Sequence, residues 1–181
     1  YKSLLSKGID PSDWKKNQKK KNSLEKNLDL TIKDVVSSIN VKSIIIAAGL
    51  GSRLKGYTEA LPKCMLMFGN KTLLERQLEV YEGCGIKDIS VVRGFKKEKI
   101  NYKGLNYYDN INFENNNILN SLFYAEEAIT GNVVISYSDI LFDANVVSRL
   151  LESNADISIV VDIDWRGYYV DRKDHPIEEA E

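Results

Sequence analysis

The chain has 181 residues, of which 43% are apolar and 28% charged, with a formal net charge of −1. That is the balance of one soluble globular domain with an appendage, and no run approaches the ~18 apolar residues of a membrane-spanning helix. Cys64 and Cys84 are too few and too badly spaced for a disulfide framework or a zinc site, and the single histidine, His175, makes Ser-His or Cys-His catalysis a poor fit. Any metal must be held by oxygen ligands, which favours Mg²⁺.

Residues 1–42 differ from the rest. They carry ten lysines against five carboxylates, net +5, whereas the remainder has fifteen basic and twenty-one acidic residues, net −6. Asp10 and Pro11 read as the cap and first turn of a polar helix running to about Asn27. A short amphipathic piece follows, with Leu28, Leu30, Ile32, Val35, Val36 and Ile39. No aromatic residue is interleaved with Lys15, Lys16, Lys19, Lys20 and Lys21, so a solvated extension or linker is expected rather than a nucleic-acid surface. The N-terminus has no apolar leader core or small-residue cleavage site, so the expected compartment is the cytoplasm, with no membrane partner. The chain opens on Tyr1 rather than methionine, which reads as a fragment of a longer protein, fused to an upstream domain.

From Val41 onward strand and helix patterns alternate, and residues 43–181 form the expected main domain. Strands are predicted at Ser43–Ala47, Leu66–Phe68, Ile89–Arg93, Leu105–Tyr108, Val133–Tyr137 and Ile157–Val161. Helices are predicted at Thr72–Cys84, Ile118–Ile129 and Ala144–Leu151. Repeated β-α units with β-branched strands give an α/β fold, a Rossmann-like, mostly parallel sheet with helices on both faces. In such sheets ligands sit at the carboxyl ends of the strands, which gathers Ala47–Arg53, Gly94 and Asp139 around one mouth.

The loop after the first strand carries the strongest signal. Ile44-Ile45-Ile46 runs into Ala47-Ala48-Gly49-Leu50-Gly51-Ser52-Arg53-Leu54, and Pro62-Lys63 follows. Leu54 stands where a dinucleotide fingerprint needs its third glycine, and no Gly-Lys-Ser/Thr follows as in a Walker loop. A bare backbone with two cations, Arg53 and Lys63, suits a polyphosphate. Further along, Asp139 is a lone carboxylate ending the strand Val133–Tyr137, where it either caps the turn or binds a cation. Asparagines at 110, 112, 115, 116 and 117 offer donors and acceptors to a ligand, or N-cap the following helix through Asn116 or Asn117. Trp165, Tyr168 and Tyr169 are ordinary surface aromatics or π faces for an ammonium group.

Ala47–Leu54 together with Pro62-Lys63 closely resembles the nucleotidyltransferase (NTP transferase) superfamily, which makes activated sugars and alcohols from an NTP and a phosphorylated substrate. The similarity runs from about Ile44 to the end of the chain. Asn110, Phe113, Asn117 and Ser121, with Asp162–Tyr169, are spaced as in its bacterial choline-phosphate and 2-aminoethylphosphonate cytidylyltransferase branch. The resemblance implies a fold of the nucleotide-diphospho-sugar transferase type. It implies that Ala47, Ala48, Gly49, Gly51, Ser52, Gly94, Asn117 and Ser121 line the nucleotide and that Arg53 and Lys63 hold its triphosphate. It makes Asp139 a Mg²⁺ ligand, with Ser138 in place of the usual glycine, and it makes Glu179 or Glu181 candidates for the second metal carboxylate. Trp165, Tyr168 and Tyr169 would meet the acceptor. The implied reaction joins CTP to a small phosphorylated or phosphonate alcohol or amine and releases pyrophosphate. The rivals are a sugar-1-phosphate nucleotidyltransferase using UTP, dTTP or GTP, and a catalytically silent nucleotide-binding module. A homodimer is compatible with the sequence and not specified by it.

Overall fold

The computed structural model describes residues 40–170 and is organised around β1, Lys42–Ala47. The expected N-terminal helices, His175, Glu179 and Glu181 lie outside the described residues. β1 has parallel neighbours on both sides, β4 (Asp88–Arg93) and β6 (Val133–Tyr137). β5 (Asn106–Asp109) pairs parallel with the far side of β4, so the sheet order is β5-β4-β1-β6. A strand with parallel partners on both edges and helices on both faces must be apolar throughout, and Ile44, Ile45 and Ile46 supply that. The parallel register also brings the carboxyl ends of β1, β4 and β6 to one side, where residues 47, 93 and 137 stand near one another.

Side-chain alternation divides the core. Ile45, Ala47, Ile89 and Val91 face α1 (Leu73–Gly83) through Leu74, Leu78 and Tyr81, and Val147 closes the same cluster. Ile44, Ala48 and Val92 face the opposite side, against Leu122, Ala125 and Ala128. Leu122 lies in α2 (Ile118–Phe123) and Ala125 and Ala128 just after it, while Val147 belongs to α3 (Ala144–Leu151). The expected parallel α/β sheet covered on both faces is therefore present. A two-stranded antiparallel hairpin, β2 (Met67–Phe68) and β3 (Lys71–Thr72), leads into α1 through Gly69, whose φ is +73°. The Gly-Asn pair at 69–70 is a hairpin turn signal.

Two expectations are corrected. The helix expected over 118–129 stops at Phe123, and Glu126–Ala128 forms a separate 3₁₀ turn. Leu122, Ala125 and Ala128 recur every three residues, a spacing that suits three residues per turn better than 3.6. The strand expected at Ile157–Val161 does not form either. Its alternating Ile157, Ile159 and Val161 have the strand pattern, but among the described residues nothing pairs with them, and they are 70–83% exposed. Strand preference is realised only through a partner, and β6 pairs with β1 alone.

α1 starts at a capping box. Thr72 Oγ1 accepts from the Glu75 N–H at 3.0 Å, and the Glu75 carboxylate accepts from the Thr72 N–H at 2.7 Å. That backbone donor holds the Glu75 carboxyl below the usual glutamate range. Thr72→Ala should lower the unfolding free energy by about 1 kcal/mol in urea at neutral pH. Because the folded pKa is lowered, the advantage of the wild type over Glu75→Ala is present above the ordinary glutamate pKa. It should shrink as the pH falls through the lowered one, and a pH series of urea melts measures this.

Candidate active site

The mouth is assembled where β1 ends. Ser138 N–H donates to Ile46 O at 3.1 Å and Phe95 N–H to Ala48 O at 3.2 Å, so the three strand ends are tied to one another. Ala47 and Ala48 are buried, and beyond them the chain emerges at Gly49, where an added methyl would meet nothing within 4 Å. Bare backbone there faces open space. Gly51 is different. Its φ is +64°, and its carbonyl accepts from the Leu54 N–H at 3.0 Å and the Thr58 hydroxyl at 2.9 Å. A Cβ on Gly51 would press on Thr58 Cγ2 at 3.1 Å and on Lys63 Cβ at 3.4 Å. The buried Thr58, which carries no motif signal, thus folds the loop back toward Lys63. Ser52 and Arg53 begin an exposed 3₁₀ turn, Ser52–Tyr57, and Arg53 forms no ion pair among the described residues.

Lys63 starts the turn Lys63–Met65 behind the buried Pro62. Its Nζ lies 2.5 Å from Asp139 Oδ2, across 76 residues of sequence. Both side chains are about one-third exposed, 34% and 35%, so solvent and small ligands reach the pair. A pair this exposed contributes only about 0–1 kcal/mol to stability. Cys64, directly after Lys63, is buried, and burial, with the Asp139 charge adding to it, pushes its thiol up to about 12. It is a packing residue and has no usable thiolate.

Asp139 sits in the turn after β6, and that turn is held from α1. Gln77, buried, donates through Nε2 to Tyr137 O at 2.8 Å and Ile140 O at 2.6 Å. Its Oε1 accepts from the Ser136 hydroxyl at 3.2 Å. Sequence reasoning missed Gln77. Its signal is a lone amide among Leu74, Leu78 and Tyr81 on the apolar stripe of a helix.

The asparagine segment borders the mouth through Phe113, which packs against Ala48 and Val92. A Cβ at Gly94 would lie 2.6 Å from Ala48 O and 2.7 Å from Phe113 Cβ, so this glycine permits the chain's own close approach. Asn110 is buried and saturated. Its amide nitrogen donates to Asn116 Oδ1 and Ser121 Oγ, and its oxygen accepts from Asn116 Nδ2 and the Asn112 N–H. Ser121 Oγ in turn donates to Asn117 O at 3.2 Å. Asn117 Oδ1 caps α2, accepting from the Asn120 N–H at 2.9 Å. The amides thus build the loop first, and among the described residues only the oxygen of the Asn117 amide is engaged, in the cap of α2.

On β4 and β5, Arg93 and Lys97 both bond the Asp109 carboxylate, with Arg93 lying 4.0 Å over the Tyr107 ring. Burial opposes ionisation of Asp109, but the two cations outweigh it and hold its carboxyl below the usual range. Trp165 and Tyr169 stand edge to face at 5.9 Å in the 3₁₀ turn that also contains Tyr168, and Arg166 lies 5.4 Å over the Trp165 ring. A cavity of about 470 Å³ lies away from the mouth, between α1 and the start of α3, lined by Arg76, Glu79, Phe142 and Asp143. We place the candidate site at the strand ends instead, because that is where the loop glycines, the exposed cations and Asp139 converge. Among the described residues no helix is long and apolar enough to cross a membrane.

The domain model of the MobA-like NTP transferases matches residues 43–172. The chain is 32% identical over 154 residues to the CTP:phosphoglutamine cytidylyltransferase of Campylobacter jejuni, covering 78% of this chain and 60% of that protein. It is 30% identical over 135 residues to a UTP–glucose-1-phosphate uridylyltransferase of Haloferax volcanii, covering 69% and 56%. The solved CTP:phosphocholine cytidylyltransferase of Streptococcus pneumoniae superposes with a TM-score of 0.55 at 33% identity, covering 59% of this chain and 50% of that one. The chain thus spans about half to three-fifths of the length of these relatives.

Two glycines of the mouth should respond in opposite ways to a methyl group. Gly94→Ala meets a backbone carbonyl that cannot step aside and should cost about 1–3 kcal/mol in a urea melt. Gly49→Ala meets open space and should stay within about 0.5 kcal/mol of the wild type.

Proposed function

Because the chain belongs to the family of MobA-like NTP transferase domains, we propose that it carries the nucleotidyl-transfer centre of a cytidylyltransferase. The reaction moves CMP from CTP to a small phosphorylated or phosphonate alcohol or amine and releases pyrophosphate. The observation that carries this reading is the contact of Lys63 with Asp139 at the rim of the glycine loop. It sets a fixed cation and a fixed carboxylate side by side where an open backbone can receive phosphates.

The chemistry asks little of the protein beyond position and charge. An acceptor phosphate oxygen bonds to the α-phosphorus of CTP while the bond from that phosphorus to the pyrophosphate oxygen breaks. The attacking oxygen is already anionic near neutral pH, so no proton has to leave it. A mouth where Cys64 is buried and held protonated suits such a step, which needs no covalent nucleophile. Lys63 and Arg53 supply positive charge to the departing pyrophosphate. Asp139 is a hard oxygen ligand and fits Mg²⁺, which takes one or two protein carboxylates and completes its shell with phosphate oxygens and water. Among the described residues no group of three or more metal-ligating side chains gathers. When bound, that ion neutralises charge on the phosphates.

CTP is preferred in this reading because the relatives from Campylobacter and Streptococcus are named for it. Their named acceptors, phosphoglutamine and phosphocholine, favour a small phosphorylated amine. Trp165 or Tyr169 would offer such an ammonium group a ring face, with Arg166 already occupying that role for Trp165. The second reading, a sugar-1-phosphate nucleotidyltransferase, is kept because the Haloferax relative is a uridylyltransferase.

Pyrophosphate release, read through pyrophosphatase and phosphate detection, should be fastest with CTP and a phosphorylated amine or aminophosphonate. A preference for UTP with glucose 1-phosphate would establish the second reading, and nucleotide binding without release would establish a silent module. Lys63→Ala should lower kcat about 10²–10³-fold with the fold intact, and Asp139→Asn should do at least as much. Wild-type turnover in either variant overturns the assignment.

A further inference from the structure

We propose that Gln77 is a positioning residue for Asp139, holding the Tyr137–Ile140 turn at the height where the carboxylate meets Lys63. The proposal rests on the reading of Asp139 as the carboxylate that shares a metal with the nucleotide, and extends it to a residue on a different element.

Gln77 occupies a helical position that chemistry would otherwise give to leucine. It lies on the buried stripe of α1, and its side chain is almost wholly removed from water. A primary amide in such a place is costly unless its bonds are satisfied inside the protein. All of the Gln77 partners lie on one short segment, Ser136 to Ile140. Its two N–H donors go to the carbonyls of Tyr137 and Ile140, which bracket Ser138 and Asp139. These carbonyls lie where β6 has just ended, so Gln77 does there what a neighbouring strand would do. The Ser136 hydroxyl, also buried, donates to the amide oxygen and so fixes which end of the amide faces the carbonyls.

Besides Gln77 and the Lys63 contact with Asp139, the turn is held at its flanks. Ser138 N–H reaches Ile46 O on β1, and the Phe142 ring packs against Tyr81, with centroids 5.4 Å apart. Tyr81 is one helical turn from Gln77, so a single stripe of α1 grips both the middle and the exit of the loop. Without Gln77, the peptide groups on either side of Asp139 keep one backbone bond, and the carboxylate is free to shift relative to Lys63. Outer groups that aim a ligating carboxylate commonly change metal affinity by 10–100-fold when removed.

Gln77→Met keeps the length of the side chain and removes both donors. At saturating CTP, the Mg²⁺ concentration for half-maximal turnover should rise about tenfold, with kcat recovered at high Mg²⁺ and the KM for CTP unchanged. Mn²⁺ binding in the presence of CTP, followed by electron paramagnetic resonance, should weaken by about the same factor. Amide hydrogen exchange over residues 137–142 should accelerate while that of β1 stays as in the wild type. If Gln77→Met does not fold, Ser136→Ala gives the same three readouts in the same direction at about threefold. A Mg²⁺ titration that does not shift, or unchanged exchange over 137–142, assigns Gln77 to packing and overturns the proposal. The exchange and Mn²⁺ readouts do not depend on turnover, so their failure condemns the role of Gln77. Absence of pyrophosphate release from every NTP in the wild type condemns the functional reading instead.

Discussion

The contact between Lys63 and Asp139 is the constraint on which the site depends, and it is not there for stability. Two side chains one-third exposed gain little by pairing in water. What the contact records is convergence. Lys63 arrives from a loop pinned by Gly51 and Thr58, and Asp139 arrives from a turn pinned by Gln77. Neither loop would be near the other without β1, which holds β4 and β6 in parallel register on its two edges. On the proposed reading, a polyanion with its cation offers each partner a better counterpart, the phosphates for Lys63 and the metal for Asp139. The contact between them then keeps the two charges aimed at one place, and preorganised charge of this kind is what phosphoryl chemistry draws on.

Three glycines at one mouth serve three physical ends. Gly51 is required by its backbone angle, since φ of +64° is strained for any residue with a Cβ. Gly94 is required by sterics, because Phe113 and the Ala48 carbonyl occupy the volume of a side chain. Gly49 is required by neither, and of the three it alone leaves open room for a side chain.

The parallel sheet was legible because residues 43–47, 89–93 and 133–137 are β-branched runs that alternate with helices, whereas the order β5-β4-β1-β6 was not read from the sequence. The parallel-sheet rule alone gathered Ala47–Arg53, Gly94 and Asp139 at one mouth, and the structure sets Gly94 against the Ala48 carbonyl and brings Lys63, beside Gly51, onto Asp139. What was not legible has a common cause. Ile157–Val161 carries the period of a strand, yet pairing is a property of two segments, and one segment's pattern cannot supply it. Gln77 and Thr58 act through backbone carbonyls 60 and seven residues away, and a carbonyl leaves no trace in a sequence. The break at Phe123 was visible as a three-residue spacing, Leu122, Ala125 and Ala128, that a helical reading smooths over.

The asparagine network also limits how a base can be recognised. Asn110 and Ser121 are consumed by the loop, and Asn117 spends its oxygen on the α2 cap. The amide nitrogen of Asn117 can only donate. Cytosine and uracil both present O2 as an acceptor, so a donor that reaches O2 cannot tell them apart. They differ at the 4-position, where cytosine carries an amino donor and uracil a carbonyl acceptor, and distinguishing them there takes an acceptor in the protein. Backbone carbonyls around Gly49 are the acceptors the mouth has to offer, and one lone pair of Ala48 O is already given to Phe95. Preference for CTP over UTP in this chain would then be set by where the loop carbonyls point, with Gly51, Thr58 and Gly94 acting on the base through the backbone they hold. On the proposed reading, side-chain motifs at 110–121 would mark the branch without themselves reading the base.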